Sequence, residues 1–118
     1  MKKIFVTLFC IGAMQSFSQS TVEIDSIHVT DMDTQYQCGV YCTATGIDTS
    51  QVLEVDIRTY SEDDLLATQN GELEVTNGHF QFIAKVPKEF SLQRKARSLT
   101  ISIRRKGSES HVTKTKFF

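Results

Sequence analysis

"QYQCGVYCTATG", residues 35–46, carries an apolar or weakly polar side chain at every second position. Tyr36, Cys38, Val40, Cys42 and Ala44 form one set, and Gln37, Gly39, Tyr41 and Thr43 form a second, mostly polar one. A period of two belongs to a strand with one face buried and the other in water. On such a strand Cys38 and Cys42 share a face but lie about 13 Å apart, at about 3.3 Å per residue. A disulfide needs Cα atoms within about 7 Å, so the alternation predicts two core thiols that are not bonded to each other. Gly39 leaves an alternative open, because a bulge or bend there would bring the pair together as an intramolecular disulfide. Interchain pairing and metal binding are further alternatives. A thioredoxin-like motif, with two residues between the cysteines in a βαβ setting, is not met.

The same period recurs along the chain. Leu53, Val55 and Ile57 alternate with Glu54, Asp56 and Arg58. Phe80, Phe82, Ala84 and Val86 alternate with Gln81, Ile83 and Lys85, and Leu99, Ile101 and Ile103 with Thr100, Ser102 and Arg104. Residues 21–30 form a weaker strand whose parity breaks between Ile24 and Ile27, which predicts a bulge near Asp25-Ser26. Residues 65–69 and 72–75 flank Asn70-Gly71, a hairpin-turn signal that Asn77-Gly78 repeats before the Phe80 strand. A last strand covers residues 110–117. The long connection 87–97 holds "KEFSLQRKA", residues 88–96, which reads as a loop with a helical turn. Short strands separated by Gly and Asn turns predict an all-β fold, an antiparallel sandwich of about seven strands.

The first residues, "MKKIFVTLFCIGAMQSFSQS", read as a signal peptide. Lys2 and Lys3 supply the charged region, residues 4–14 the apolar stretch, and Ser16-Phe17-Ser18 the small residues before a cut after Ser18, with Ser20 as the alternative. The apolar run is shorter than the ~18 residues of a membrane span. Cys10 follows the bulky Phe9, which does not suit a lipoprotein anchor. Residues 1–18 are thus expected to be removed, leaving residues 19–118 as one domain, periplasmic or secreted to the cell surface. A terminal Phe resembles the ending of outer-membrane barrels, but eight strands of ~10 residues would strain a chain this short. An edge strand protected by Lys114 and Lys116 is the more economical account, and a strand that pairs with a partner sheet is another.

The formal net charge is −1, and −3 without Lys2 and Lys3, which argues against nucleic-acid or anionic-membrane binding. The distribution is uneven. Residues 19–80 hold 12 acidic side chains and the single basic Arg58, whereas residues 81–118 hold 10 basic side chains and only Glu89 and Glu109 as acids. The two segments either neutralise each other across neighbouring strands or give a dipolar surface that attracts a partner or a second copy.

Two charged groups are candidate sites. Asp31 and Asp33 fall in the first turn and Glu62, Asp63 and Asp64 in the third. An even number of strand reversals places these turns at one end, and clustered carboxylates suit calcium. Lys88, Arg94, Lys95 and Arg97, together with Arg104, Arg105 and Lys106, are a candidate patch for an anionic polymer, or a solvated face paired with the acidic half. No resident cofactor is expected beyond that calcium. A zinc site at the cysteines would need a second ligand pair, and His28, His79 and His111 each stand alone in a strand. Nucleophile-elbow, zinc-protease and phosphate-loop motifs do not occur, so an enzyme is not expected.

"GHFQFIAKVP" (residues 78–87), "SLTISIRRKG" (98–107) and "HVTKTK" (111–116) together resemble the last three strands of bacterial immunoglobulin-like domains. The resemblance covers residues 78–116 in patterning and the earlier strands by count. It departs from antibody-type domains, since the chain has no Trp and both candidate core cysteines fall on one strand. It implies an antiparallel immunoglobulin-like β-sandwich of about seven strands and a role in adhesion, spacing or ligand display, and carries no catalytic residues with it. The resulting expectation is a non-enzymatic module that contacts another envelope or surface protein, or itself. A small ligand-binding domain is the alternative.

Overall fold

The computed structural model describes residues 20–47 and 49–118; the expected leader, its cleavage site and Cys10 lie outside the described residues. Every element among the described residues is a strand: β1 (Thr21–Asp31), β2 (Gln35–Thr45), β3 (Gln51–Ser61), β4 (Asp64–Val75), β5 (Gly78–Pro87), β6 (Glu89–Ser91), β7 (Arg94–Lys95), β8 (Ser98–Arg105) and β9 (His111–Phe117). They form a three-stranded sheet in the order β1-β2-β5, a four-stranded sheet in the order β4-β3-β8-β9, and the small hairpin β6-β7. All pairings are antiparallel.

The alternating residues meet in one apolar cluster shared by the two sheets. Cys38, Val40, Cys42, Ala44, Ala84 and Val86 come from the three-stranded sheet, and Leu53, Val55, Ile57, Leu99, Ile101 and Ile103 from the four-stranded one. Burying a side chain of Val, Leu or Ile size contributes about 1.5–3 kcal/mol, so this shared cluster is the main force joining the sheets. The architecture is all-β, with antiparallel sheets in an arrangement compatible with a β-sandwich.

The break in parity on β1 is a bulge. Ile24 pairs with Cys42 and Ser26 with Tyr41, leaving Asp25 as the extra residue. Two other readings are corrected. Asn70-Gly71 makes no turn: β4 runs straight through it, with Asn70 opposite Asp56 and Gly71 opposite Val55. Continuous pairing to β3 outweighs the local preference of the dipeptide, and the hairpin reverses instead at residues 62–63, where Glu62 takes a φ of 58°. Residues 88–96 hold no helical turn. They form the β6-β7 hairpin, which raises the strand number from the expected seven or so to nine among the described residues.

Asn77-Gly78 does mark a turn, and it crosses between sheets. Gly78 has a φ of 117°, a conformation that a Cβ would strain, and Asn77 Oδ1 accepts the Ile47 N–H at 2.7 Å. That bond ties the β4–β5 connection to the β2–β3 connection at one end of the molecule. At the opposite end the β6-β7 segment bridges the sheets. Lys88 N–H donates to Thr34 O at 3.1 Å, and Arg97 N–H donates to Tyr60 O at 2.8 Å. Phe118 N–H donates to Arg97 O at 2.8 Å, and its ring stacks on Tyr36 at 4.2 Å.

Candidate interaction surface

The first and third turns share an end, since the β6-β7 segment bonds beside both. Their carboxylates are drawn toward the basic loop. Asp31 pairs with Lys88, whose ammonium also lies 5.3 Å from the centre of the Tyr36 ring, and Asp64 pairs with Arg94 at 4.0 Å. The hydrogen bond to Asp31 raises the Lys88 pKa. Asp33, Glu62 and Asp63 occupy the same two turns as exposed side chains. Among the described residues, no group of three or more His, Cys, Asp or Glu side chains is arranged to hold a metal ion.

The seven basic candidates divide into two groups. Lys88, Arg94, Lys95 and Arg97 lie at the end of the acidic turns, whereas Arg104, Arg105 and Lys106 lie at the far end of β8 and just beyond it. The length of β8 keeps the groups roughly 20 Å apart. Arg104 Nε meets Glu54 at 2.7 Å, Lys106 Nζ meets Glu72 at 3.3 Å, and Arg105 donates to Ser20 Oγ at 2.7 Å. The ion pairs Asp31–Lys88, Asp64–Arg94, Glu54–Arg104 and Glu72–Lys106 all join the acidic segment to the basic one. Four acids of the acidic segment thus have partners in the basic one.

The outer face of the four-stranded sheet carries an open concavity of about 700 Å³. Its acids Glu54, Asp56 and Glu72 each have a cationic partner, the second being Arg58 at 2.9 Å. Toward β9 the face becomes a ladder of hydroxyls, with Thr100 bonded to Thr115 at 2.9 Å and Ser102 to Thr113 at 3.2 Å.

Cys38 and Cys42 are free thiols, both buried on the core face of β2. Burial pushes the Cys38 thiol up to about 11; burial, followed by repulsion from Asp25, takes Cys42 to about 11 as well. Both are neutral at physiological pH and covered, which makes them poor nucleophiles and poor metal ligands.

The outer face of the three-stranded sheet differs in composition. Gly39 sits at its centre, with His28 of β1 on one side and Ile83 of β5 on the other. The glycine has no side chain, so the Tyr41 ring folds back over it: a Cβ placed at Gly39 would lie 3.4 Å from Tyr41 Cε2 and 3.5 Å from its hydroxyl. His28 meets that ring edge to face at 5.1 Å and 75°. Tyr41 remains 41% exposed and Ile83 60%, which makes them, among the described residues, the large apolar side chains open to solvent on this face. Further along, the bulge turns Asp25 toward Thr43. The Thr43 hydroxyl donates to Asp25 Oδ2 at 2.5 Å and lies 3.0 Å from His79 Nδ1. With its proton committed to Asp25, the hydroxyl accepts from His79 Nδ1–H, and this chain of hydrogen bonds ties the three strands together.

The Tyr41 cluster was not among the candidate sites read from the sequence. Its one signal there is a glycine two residues before a tyrosine on the polar face of a strand. No protein-family model matches the chain, and no curated protein matches it.

Proposed function

We propose that this chain is an exported, non-enzymatic immunoglobulin-like module that works by protein–protein contact at the cell envelope or surface, through the outer face of its three-stranded sheet. The observation that carries the reading is the Tyr41 cluster. An aromatic ring lying over a glycine, flanked by His28 and Ile83 and rimmed by polar residues such as Gln37 and Gln81, has the make-up of an interface centre. Tyrosine in that setting contributes contact area at small entropic cost. The partition of strands into β1-β2-β5 and β4-β3-β8-β9 supports the immunoglobulin-like part of the reading. It differs from the antibody constant arrangement in setting the fourth strand beside the third. The mutual pairing of acidic and basic segments favours contact through neutral polar and aromatic groups over capture of a highly charged ligand.

Cross-linking in the producing cell tests this reading with three proteins: the natural chain, a Tyr41→Ser/Ile83→Lys variant, and a Thr100→Lys variant on the opposite sheet. All three should show the same strand content by circular dichroism. A partner captured by the natural chain and by the Thr100 variant, but reduced about tenfold or more by the Tyr41/Ile83 changes, is the expected result. Equal capture by all three would remove the assigned face.

A further inference from the structure

β2 is the middle strand of its sheet, bonded to β1 on one side and β5 on the other. Cys38 stands opposite Val29 and Ala84, and Cys42 opposite Ile24 and Phe80. Pairing to β5 is continuous from Gln35 to Ala44, so Gly39 introduces no bend. The two Cα atoms are thus about 13 Å apart by strand rise, nearly twice the reach of a disulfide. In the unfolded chain only three residues separate the thiols, and no strand holds them apart. A Cys38–Cys42 disulfide and a straight β2 exclude one another.

We propose that this pair is a redox lock on folding: the reduced chain folds and shelters both thiols, whereas a chain oxidised first at Cys38 and Cys42 is held out of the fold until it is reduced. The oxidant is the disulfide of a thiol–disulfide exchange partner. One cysteine thiolate attacks a sulfur of that disulfide, forms a mixed disulfide and releases one partner thiolate. The second cysteine thiolate then attacks the first cysteine's sulfur, closes the Cys38–Cys42 bond and releases the other partner thiolate. The chain loses two electrons and two protons, and the partner disulfide gains them as two thiols. β2 carries both β1 and β5, so bending it removes the support of the whole three-stranded sheet. Once the chain has folded, the thiols are 0% and 1% exposed and the lock is out of reach. The inference is independent of the interaction reading, because it uses only the core face of β2.

The test takes the full chain with Cys10→Ser, so that only the pair reports. The protein is unfolded in guanidinium, oxidised with glutathione disulfide, checked by intact mass for the loss of two hydrogen atoms, and diluted from denaturant. The oxidised chain is expected to lack the strand signal of the reduced protein in circular dichroism, and dithiothreitol should restore it. Folded protein in the same oxidant should form the bond at least about 10³-fold more slowly than the unfolded chain. Reversal by dithiothreitol needs no core substitution, so a destabilised variant cannot mimic the result. The proposal is overturned if the disulfide-bonded chain regains the strand content and melting temperature of the reduced one. It is equally overturned if the bond forms as fast in the folded protein, or does not form in the unfolded chain.

Discussion

Thr59 lies on the core face of β3, 1% exposed, and among the described residues its Oγ1 has no hydrogen-bond partner. A buried hydroxyl without a partner costs about 1–3 kcal/mol, and valine fills the same shape without a polar atom. Thr59→Val should therefore raise stability by about 1–2 kcal/mol, or Tm by roughly 5 °C, in a thermal melt; an unchanged or lowered Tm would mean that the hydroxyl is satisfied. The buried thiols act in the other direction as pH rises. Their folded values of about 11 lie above the ordinary 9.0. A group that binds its proton more tightly in the folded state stabilises the fold fully below its unfolded pKa, and that contribution is lost as pH climbs to the folded pKa. Urea titrations at pH 7, 9 and 10.5 should show stability falling between about pH 9 and 11, by on the order of 2 kcal/mol per thiol. Cys38→Ala/Cys42→Ala protein should show a shallower fall over the same window.

At the scale of elements, β9 is the edge strand of the four-stranded sheet, and it shows how that edge is guarded. Lys114 stands opposite Ile101 and Lys116 opposite Leu99, on the parity that faces the core. Cationic side chains on the inward parity of an edge strand make the addition of another strand costly. Replacing both with valine should drive association of the protein, read as a concentration-dependent rise in sedimentation coefficient. A variant that stays monomeric would deny the lysines this role. The strands themselves were legible to different degrees. β2, β3, β5 and β8 could be read because each buries one face, so alternation records their geometry. The bulge on β1 was equally readable, since one extra residue shifts the parity of all that follow. β4 misled because it is an edge strand with little buried, and there a turn-forming Asn-Gly reads as punctuation until its pairing with β3 is known. The β6-β7 hairpin is too short to display a period.

At the scale of the whole molecule, the sequence revealed which end carried the acidic turns, because that follows from counting reversals. It concealed the division of the basic residues, since Arg97 and Arg104 are close in sequence while β8 carries them toward opposite ends. The Tyr41 surface was hidden for a related reason. Alternation assigns each residue to a face, but His28 and Ile83 come to flank Gly39, over which the Tyr41 ring lies, only through the registers of β1 and β5 against β2.

The course of the chain has a mechanical side. Ser20, leading into β1, lies beside Arg105 at one end, and Phe118, following β9, lies against Tyr36 at the other. β1 and β9 run in the same sense, one in each sheet, and border one another. A pull applied through the segments before β1 and after β9 would run along both strands, and not across them. The hydrogen bonds of β1 to β2 and of β9 to β8 would be loaded in shear, all sharing the force, where a peeling pull would break them one at a time. A module tethered at one end and gripped at the other would hold its shape under tension for that reason.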